Sequence, residues 1–193
     1  MAVPSLPLSA DKIALRRRAR ELRRAFVADL SESKRAALEQ ALAHHLAPLI
    51  ANSRQVGAYA PLPDEISPLP AVTGVEGVTV GFPAFRDQLA TFRFLAGEPV
   101  ENGPFGILQP ALDAPEMRPD LVLVPLVGID AKGNRLGQGK GHYDRVLPDL
   151  KRAGALLIGL GWDVQKLDAA LEPEMWDVPM DGFCSPSGLE MWR

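Results

Sequence analysis

Leu121-Val122-Leu123-Val124-Pro125-Leu126-Val127 carries no polar side chain, and Ala155-Leu156-Leu157-Ile158-Gly159-Leu160 repeats the pattern. A strand with one wet face alternates apolar and polar residues, so uninterrupted apolar runs of this length predict strands covered on both faces. Shorter β-prone runs at Gln55 to Ala60, Val78 to Phe82 and Thr91 to Leu95, bounded by Pro and Gly, predict further strands separated by helical-length segments. Ahead of them, Leu15, Ala19, Leu22 and Phe26 recur at helical spacing between Asp11 and Asp29, with Ser9 as the prospective cap. Leu38, Leu42, Leu46 and Leu49 do the same from Ser31 to Asn52 and Ser53. The prediction is an α/β fold, a mainly parallel twisted sheet with helices on both faces, in a single domain over residues 1–193. Gly97 to Pro119, punctuated by prolines, fits no element; an irregular excursion of that length usually borders a site.

The composition narrows the function classes. The chain has 193 residues, 47% hydrophobic and 23% charged, with Lys+Arg 21 against Asp+Glu 24, the balance of a globular protein and not of a polyanion binder. No apolar run approaches the roughly 18 residues that span a bilayer. One cysteine, Cys184, cannot form an internal disulfide and reads as an inert small residue near a late strand; with 3 His, a metal cage of nitrogen or sulfur ligands is excluded. A reducing, cytoplasmic setting is expected. The N-terminal region does not read as a secretory signal, while residues 12–28, Arg-rich with Glu21 as their acidic residue, leave a transit peptide as an alternative.

The chemistry concentrates in Arg135-Leu136-Gly137-Gln138-Gly139-Lys140-Gly141-His142-Tyr143-Asp144-Arg145. Glycines alternating at 137, 139 and 141 remove Cβ atoms, so successive backbone N–H groups can converge on an anion, and a helix starting near Tyr143 would add its positive end. Arg135 and Lys140 flank the loop with the fixed charges that a polyphosphate needs. The standard motifs do not match. A P-loop requires Gly where Asn134 stands and Ser or Thr where Gly141 stands, and the dinucleotide fingerprint requires Gly where His142 stands. A different nucleotide loop and a structural turn both remain open at this point, and Pro148 would break or restart any helix begun at Tyr143.

The same residues carry a resemblance. The segment 135–145, following a strand and Gly128-Ile129-Asp130, resembles the signature of the 5-formyltetrahydrofolate cyclo-ligase family, also called methenyltetrahydrofolate synthetases. Lys12-Ile13-Ala14-Leu15-Arg16 resembles the family's Lys-x-x-Leu-Arg, and Glu65-Ile66-Ser67-Pro68-Leu69 its Glu-Ile-Asp-Thr segment. Gly103 to Pro110 resembles Gly-x-Phe-Gly-Ile-x-Glu-Pro, and Trp176-Asp177-Val178-Pro179-Met180 the terminal aspartate segment. His142 stands where the family usually has tyrosine, Gln109 where glutamate is frequent, and Ser67 where it has aspartate. His142 could change folate contacts or pH dependence without changing the reaction.

The resemblance implies a monomeric enzyme of the Rossmann-like, sugar-isomerase and CoA-transferase-like group, acting on small molecules with no nucleic-acid or membrane partner. In such enzymes ATP phosphorylates the formyl oxygen of 5-formyltetrahydrofolate, N10 closes on the activated carbon, and phosphate leaves to give 5,10-methenyltetrahydrofolate. It implies ATP contacts from Lys12, Arg16, Arg135, Gly137, Gln138, Gly139, Lys140, Gly141, His142, Tyr143 and Arg145, and folate contacts from Glu65 and residues 138–142. Lys140, Arg135 and Tyr143 would be catalytic, and Asp144 and Asp177 would hold Mg, a cation content with one or two carboxylates plus phosphate oxygens. Lys12 and Arg16, one helical turn apart, can face one ligand, although they sit in a run with Arg17, Arg18, Arg20, Arg23 and Arg24, where most charges would simply solvate a helix. Phe85, Phe92 and Phe94 read as core. The alternatives are a non-catalytic nucleotide- or folate-binding paralogue, a relative acting on another phosphorylated ligand, and a nucleic-acid binder working through the first helix.

Overall fold

The computed structural model describes residues 8–88, 91–104 and 106–192, with side chains from Lys12 onward; Phe105 of the Gly-Phe-Gly-Ile segment lies outside the described residues. Two long helices, α1 (Leu8–Ala28) and α2 (Glu32–Ala51), precede the sheet. The strands follow as β1 (Gln55–Gly57), β2 (Thr79–Ala84), β3 (Arg93–Ala96), β4 (Glu101–Asn102), β5 (Leu108–Gln109), β6 (Glu116–Met117), β7 (Leu121–Pro125), β8 (Gly128–Ile129), β9 (Arg135–Leu136), β10 (Leu156–Leu160), β11 (Gly182–Ser185) and β12 (Gly188–Met191). Short helices α3 (Leu69–Val72) and α4 (Leu147–Arg152) lie between strands.

Eight strands form one sheet in the order β12-β11-β10-β7-β1-β2-β3-β6. The five from β11 to β2 run parallel, and antiparallel strands close both edges. Apolar β7 and β10 lie inside this sheet, and successive residues serve opposite faces. Leu121 and Leu123 join Leu42, Leu46 and Ile50 of α2, whereas Val122 and Val124 join Leu147 and Leu150 of α4. Both faces are therefore dry, as the uninterrupted apolar runs require.

Ser31 caps α2, accepting the Lys34 N–H at 3.3 Å, and Asn52 ends the helix. The buried stripe is Leu42, Ala43, Leu46 and Ile50, with Leu38 and Leu49 at its margin. α1 departs further from expectation. It begins at Leu8, so Ser9 falls within it, and Leu22 is exposed. Leu15 and Ala19 do pack, against Val127, Leu136 and Leu171, and Phe26 packs on the core beside Trp162, but Arg23 is buried on the same helix. Tyr143 opens a 3-10 turn, Tyr143–Arg145, and the α-helix restarts at Leu147 with Pro148 in its first turn, where a missing N–H costs nothing. The expected positive helix end at the glycine loop is thus reduced to one turn.

The chain starts the sheet in its middle. From β1 it moves to β2 on one side and returns through β7 on the other, so the strand order reverses at β1 and β7. In open α/β sheets the crevice beyond the carboxyl ends at such a point is where ligands sit. No helix among the described residues is long and apolar enough to cross a membrane.

Candidate functional site

Beyond β1 the chain runs through Tyr59 into a tight Pro61–Glu65 turn, which two arginines and a tyrosine hold in place. Arg23 of α1 is 2% exposed; its Nε and Nη2 donate to Asp64 Oδ2 at 3.1 and 2.9 Å, and its Nη1 to the Leu126 carbonyl at 3.3 Å. Arg35 of α2 donates to the carbonyls of Pro63 and Glu65 at 2.7 and 2.8 Å. The Tyr59 hydroxyl donates to the Ile66 carbonyl at 2.6 Å. Glu65, a loop acid by sequence, is thereby buried, with its carboxylate accepting from the Leu62 N–H and from Gln138 Nε2, each at 3.0 Å. Burial holds its carboxyl above the ordinary range, and the Leu62 N–H, Arg23 and Gln138 offset only part of the rise.

The glycine loop leaves β9 and is fastened by α1. Arg16 Nε donates to the Gly137 carbonyl at 3.1 Å, and Arg20 donates to the Gln138 side-chain oxygen at 3.1 Å and to its carbonyl at 2.6 Å. Gly139 and Gly141 have φ of 88° and 69°, the left-handed region that disfavours any Cβ, so this path needs glycine at both positions. Among the described residues no acceptor takes the N–H of Gly137, Gly139 or Gly141. Asp130 secures the hairpin behind the loop, accepting from the N–H groups of Lys132, Asn134 and Leu171 and from the Asn134 amide. These hydrogen bonds outweigh its desolvation and hold its carboxyl below the ordinary range.

Two hollows flank this loop. The first, about 210 Å³, has apolar walls of Tyr59, Phe85, Phe92, Ile107 and Tyr143, with Glu65, Gln138, Lys140 and His142 among its polar groups. The second, about 230 Å³, is lined by Lys12, Arg16, Asn134, Glu174, Trp176 and Asp177. Arg135, Gly137, Gly139, Gly141 and Asp144 line both. Arg135 pairs with Asp144, and its guanidinium carbon lies 5.8 Å from the Tyr143 ring centroid. Arg135 Nε, where the hollows meet, and the Tyr143 hydroxyl, on the first hollow, are buried with no hydrogen-bond partner among the described residues. Burial, the nearby Glu65 charge and no more than partial compensation from Arg135 keep the Tyr143 phenol far above its ordinary pKa.

Of the residues singled out by sequence, the structure gathers Glu65, Arg135, Gly137 to Tyr143 and Asp144 around the first hollow, and Lys12, Arg16 and Asp177 join Arg135 and Asp144 around the second. Arg145 is exposed and lines neither. Lys12 forms ion pairs with Glu174 at 3.1 Å and Asp177 at 3.5 Å. His142 stands edge-on to Phe85 with centroids 4.9 Å apart, so the imidazole serves as a flat wall as a tyrosine would. Burial first, then Lys140 and Arg145, lower its pKa and favour the neutral ring. The excursion from Gly97 to Pro119 does border the site: its hairpin β4–β5 places Gly103, Ile107 and Gln109 on the first hollow. Cys184 is buried, its thiol pushed up to about 12 by burial and Asp163.

Sequence reasoning missed several members. Arg20 and Arg23 looked like solvating charges; their signal was the 4-4-3 spacing of Lys12, Arg16, Arg20 and Arg23, which puts four cations on one helix face. Phe85 and Phe92 are core and wall at once. Gln109 uses both ends of its amide on one residue, accepting from Phe85 N–H at 3.0 Å and donating to Phe85 C=O at 3.3 Å. A glutamate there would face that carbonyl without a proton to give unless it were protonated.

The model of the 5-formyltetrahydrofolate cyclo-ligase family matches residues 8–186. A 5-formyltetrahydrofolate cyclo-ligase of Haemophilus influenzae is 36% identical over 102 residues, covering 51% of this chain and 54% of the relative. That of Escherichia coli K12 is 34% identical over 90 residues, 45% and 49%. The aligned stretches thus span about half the length of these curated relatives. The solved structure of Aquifex aeolicus 5,10-methenyltetrahydrofolate synthetase superposes with TM-score 0.73 at 26% identity over 91% of this chain and 93% of that one. The Mycoplasma pneumoniae synthetase superposes with TM-score 0.65 at 23% identity, over 91% and 99%, a likeness of fold.

Proposed function

The chain belongs to the 5-formyltetrahydrofolate cyclo-ligase family, and on that premise we propose that it closes 5-formyltetrahydrofolate to 5,10-methenyltetrahydrofolate at the expense of ATP. The observation that carries this reading is the pairing of chemically opposite hollows across one glycine-loop wall. The reaction must bring a flat heteroaromatic substrate and a triphosphate within bonding distance while keeping their surroundings different. The aromatic hollow suits the folate, with the Glu65 carboxylate accepting N–H bonds from the pterin edge. The cationic hollow suits the triphosphate, with Lys12, Arg16 and the N–H groups of the loop as its partners.

In the first step the formyl oxygen attacks the γ-phosphorus and ADP leaves. N10 then adds to the activated carbon and gives up its proton, and expulsion of phosphate, which can carry that proton away, leaves the methenyl bridge. Such a transfer is governed by positioning and charge neutralisation, which is why no covalent nucleophile is needed. Arg135 at the junction offers Nε to the phosphoryl group in transit, Lys140 offers a second cation from the loop, and the Tyr143 hydroxyl donates to the substrate edge facing it. Asp144 and Asp177 line the second hollow together, and two carboxylates beside a phosphate suit a cation that completes its shell with water and phosphate oxygens, as Mg does. When bound, Mg would neutralise phosphate charge.

The test is direct. The protein is incubated with 5-formyltetrahydrofolate, Mg and ATP, and methenyl absorbance is followed in the near ultraviolet. Chromophore should form with ATP and not without it. ATP-independent formation, or none from protein shown to be folded, overturns the reading.

A further inference from the structure

Gln138 is fastened at three points. Its amide nitrogen donates to Glu65 Oε1 at 3.0 Å, its amide oxygen accepts from Arg20 Nε at 3.1 Å, and its carbonyl accepts from Arg20 Nη2 at 2.6 Å. Arg20 carries only donors, so it fixes which way the amide faces: the oxygen must turn to Arg20 and the NH2 to Glu65. On either side of Gln138, Gly137 and Gly139 line both hollows, and the Gly137 carbonyl is held by Arg16 from the second. One hydrogen-bonded chain thus runs from the carboxylate of the first hollow into the wall of the second.

We propose that Gln138, gripped by Arg20, is a positioning residue that couples the two hollows, so that filling the first raises the affinity of the second for a polyphosphate. This deepens the reading above and rests on it for the identity of the two ligands. A carboxylate accepts about four hydrogen bonds. Glu65 uses one oxygen for the Leu62 N–H and the other for Gln138, which leaves a site on each for two N–H groups of a pterin edge without displacing Gln138. A folate bound there fixes the Glu65 rotamer, and with it the amide and the glycine loop on either side. Ordering the loop in advance lowers what the second ligand must order for itself, which is positive cooperativity. Linkage makes the effect reciprocal: nucleotide must tighten folate by the same factor.

The experiment is calorimetric titration with a non-hydrolysable ATP analogue and Mg, with and without saturating 5-formyltetrahydrofolate. The wild type should bind the analogue roughly five- to tenfold tighter with folate present. Gln138→Met, which keeps the length and loses the donor, should show a ratio near one, whatever it costs the affinity for each ligand alone. Arg20→Lys, which retains a donor for the Gln138 carbonyl but leaves the amide ungripped, should give an intermediate ratio and serves as the second variant should Gln138→Met fail to fold. Conversely, an unchanged ratio in Gln138→Met, or in Arg20→Lys, overturns the coupling. A wild type that binds both ligands with a ratio of one overturns the coupling while leaving the proposed function standing. A folded wild type that binds neither ligand overturns both.

Discussion

The two hollows share a wall, yet one is made of core and the other of ion pairs. Phe85 and Phe92 belong to the hydrophobic cluster under the sheet and extend from it as the first hollow's walls, with centroids 5.6 Å apart and Phe92 5.0 Å from Tyr143. Packing of this kind resists deformation and is insensitive to salt. Two of the second hollow's cations are paired with its own acids, Lys12 with Glu174 and Asp177, and Arg135 with Asp144, while Arg16 holds the Gly137 carbonyl. A polyphosphate entering it must exchange partners, and a cation arriving with the phosphates takes over the carboxylates so released. The first hollow should therefore bind by shape, and the second by an ionic-strength-dependent exchange.

The sharpest way to break this contrast is at Lys140, on the loop between the hollows. If it neutralises charge that grows during transfer, Lys140→Met should lower turnover about 10²–10³-fold with little loss of thermal stability. A variant with near-normal turnover and weakened nucleotide affinity would make Lys140 a ground-state binder. Next come the acids of the second hollow. Asp144→Asn and Asp177→Asn should each raise the Mg concentration for half-maximal rate by about 10–100-fold, the scale on which losing even an indirect metal partner is felt. Asparagine can still accept from Arg135 at residue 144 and from the Glu174 N–H at residue 177. Wild-type Mg dependence in both variants would leave the aspartates as structural partners of Arg135 and Lys12.

The first hollow should answer differently. Phe85→Leu keeps an apolar side chain and loses the ring face, a change worth about 0.5–1.5 kcal/mol for an aromatic pair. The KM for folate should rise roughly two- to tenfold while the KM for ATP stays put. Equal changes in both constants would mean that the hollows are not chemically separate.

That difference also explains what could be read in the sequence. Charged and glycine residues of the second hollow and the loop advertise themselves, because Arg135, Lys140 and three alternating glycines within seven residues form a pattern that a phosphate loop calls for and a hydrophobic core does not. The walls of the first hollow look like any core: Phe92 precedes a strand and Phe85 follows one, and only the fold shows that they reach past the sheet end. The sheet centre was legible because β7 and β10 are apolar on both faces. The edge strand β6 was not, since two residues have no period to read, and β12, Gly188-Leu189-Glu190-Met191, lacks the β-branched and aromatic residues that mark a strand. α1 misled for a related reason: its buried face mixes Leu15, Ala19 and Arg23, and hydrophobicity alone cannot see an arginine that docks on carbonyls and an aspartate.

The smallest effect is expected within the first hollow, at Glu65. Its carboxyl lies above its ordinary value of 4.5 because of burial. Between that value and the raised one the native chain holds a proton that the unfolded chain has lost, so stability falls as pH climbs through the window. Whatever stabilisation the protonated form contributes is complete below 4.5 and gone above the raised value. Glu65→Gln removes the titration, so a plot of denaturation midpoint against pH should lose this downward step and otherwise follow the wild type. Its amide oxygen can serve the Leu62 N–H or Gln138, while its NH2 group opposes the other donor, so a uniform offset between the two curves is compatible with the assignment. Catalysis should carry the opposite sign. The ionised carboxylate is the form that accepts pterin N–H bonds, so the acid limb of kcat/KM for folate should rise with pH through the same window and vanish in Glu65→Gln at a reduced plateau. Parallel stability curves together with an unchanged acid limb would show that Glu65 titrates as an ordinary surface acid, and that the first hollow is not where the folate is anchored.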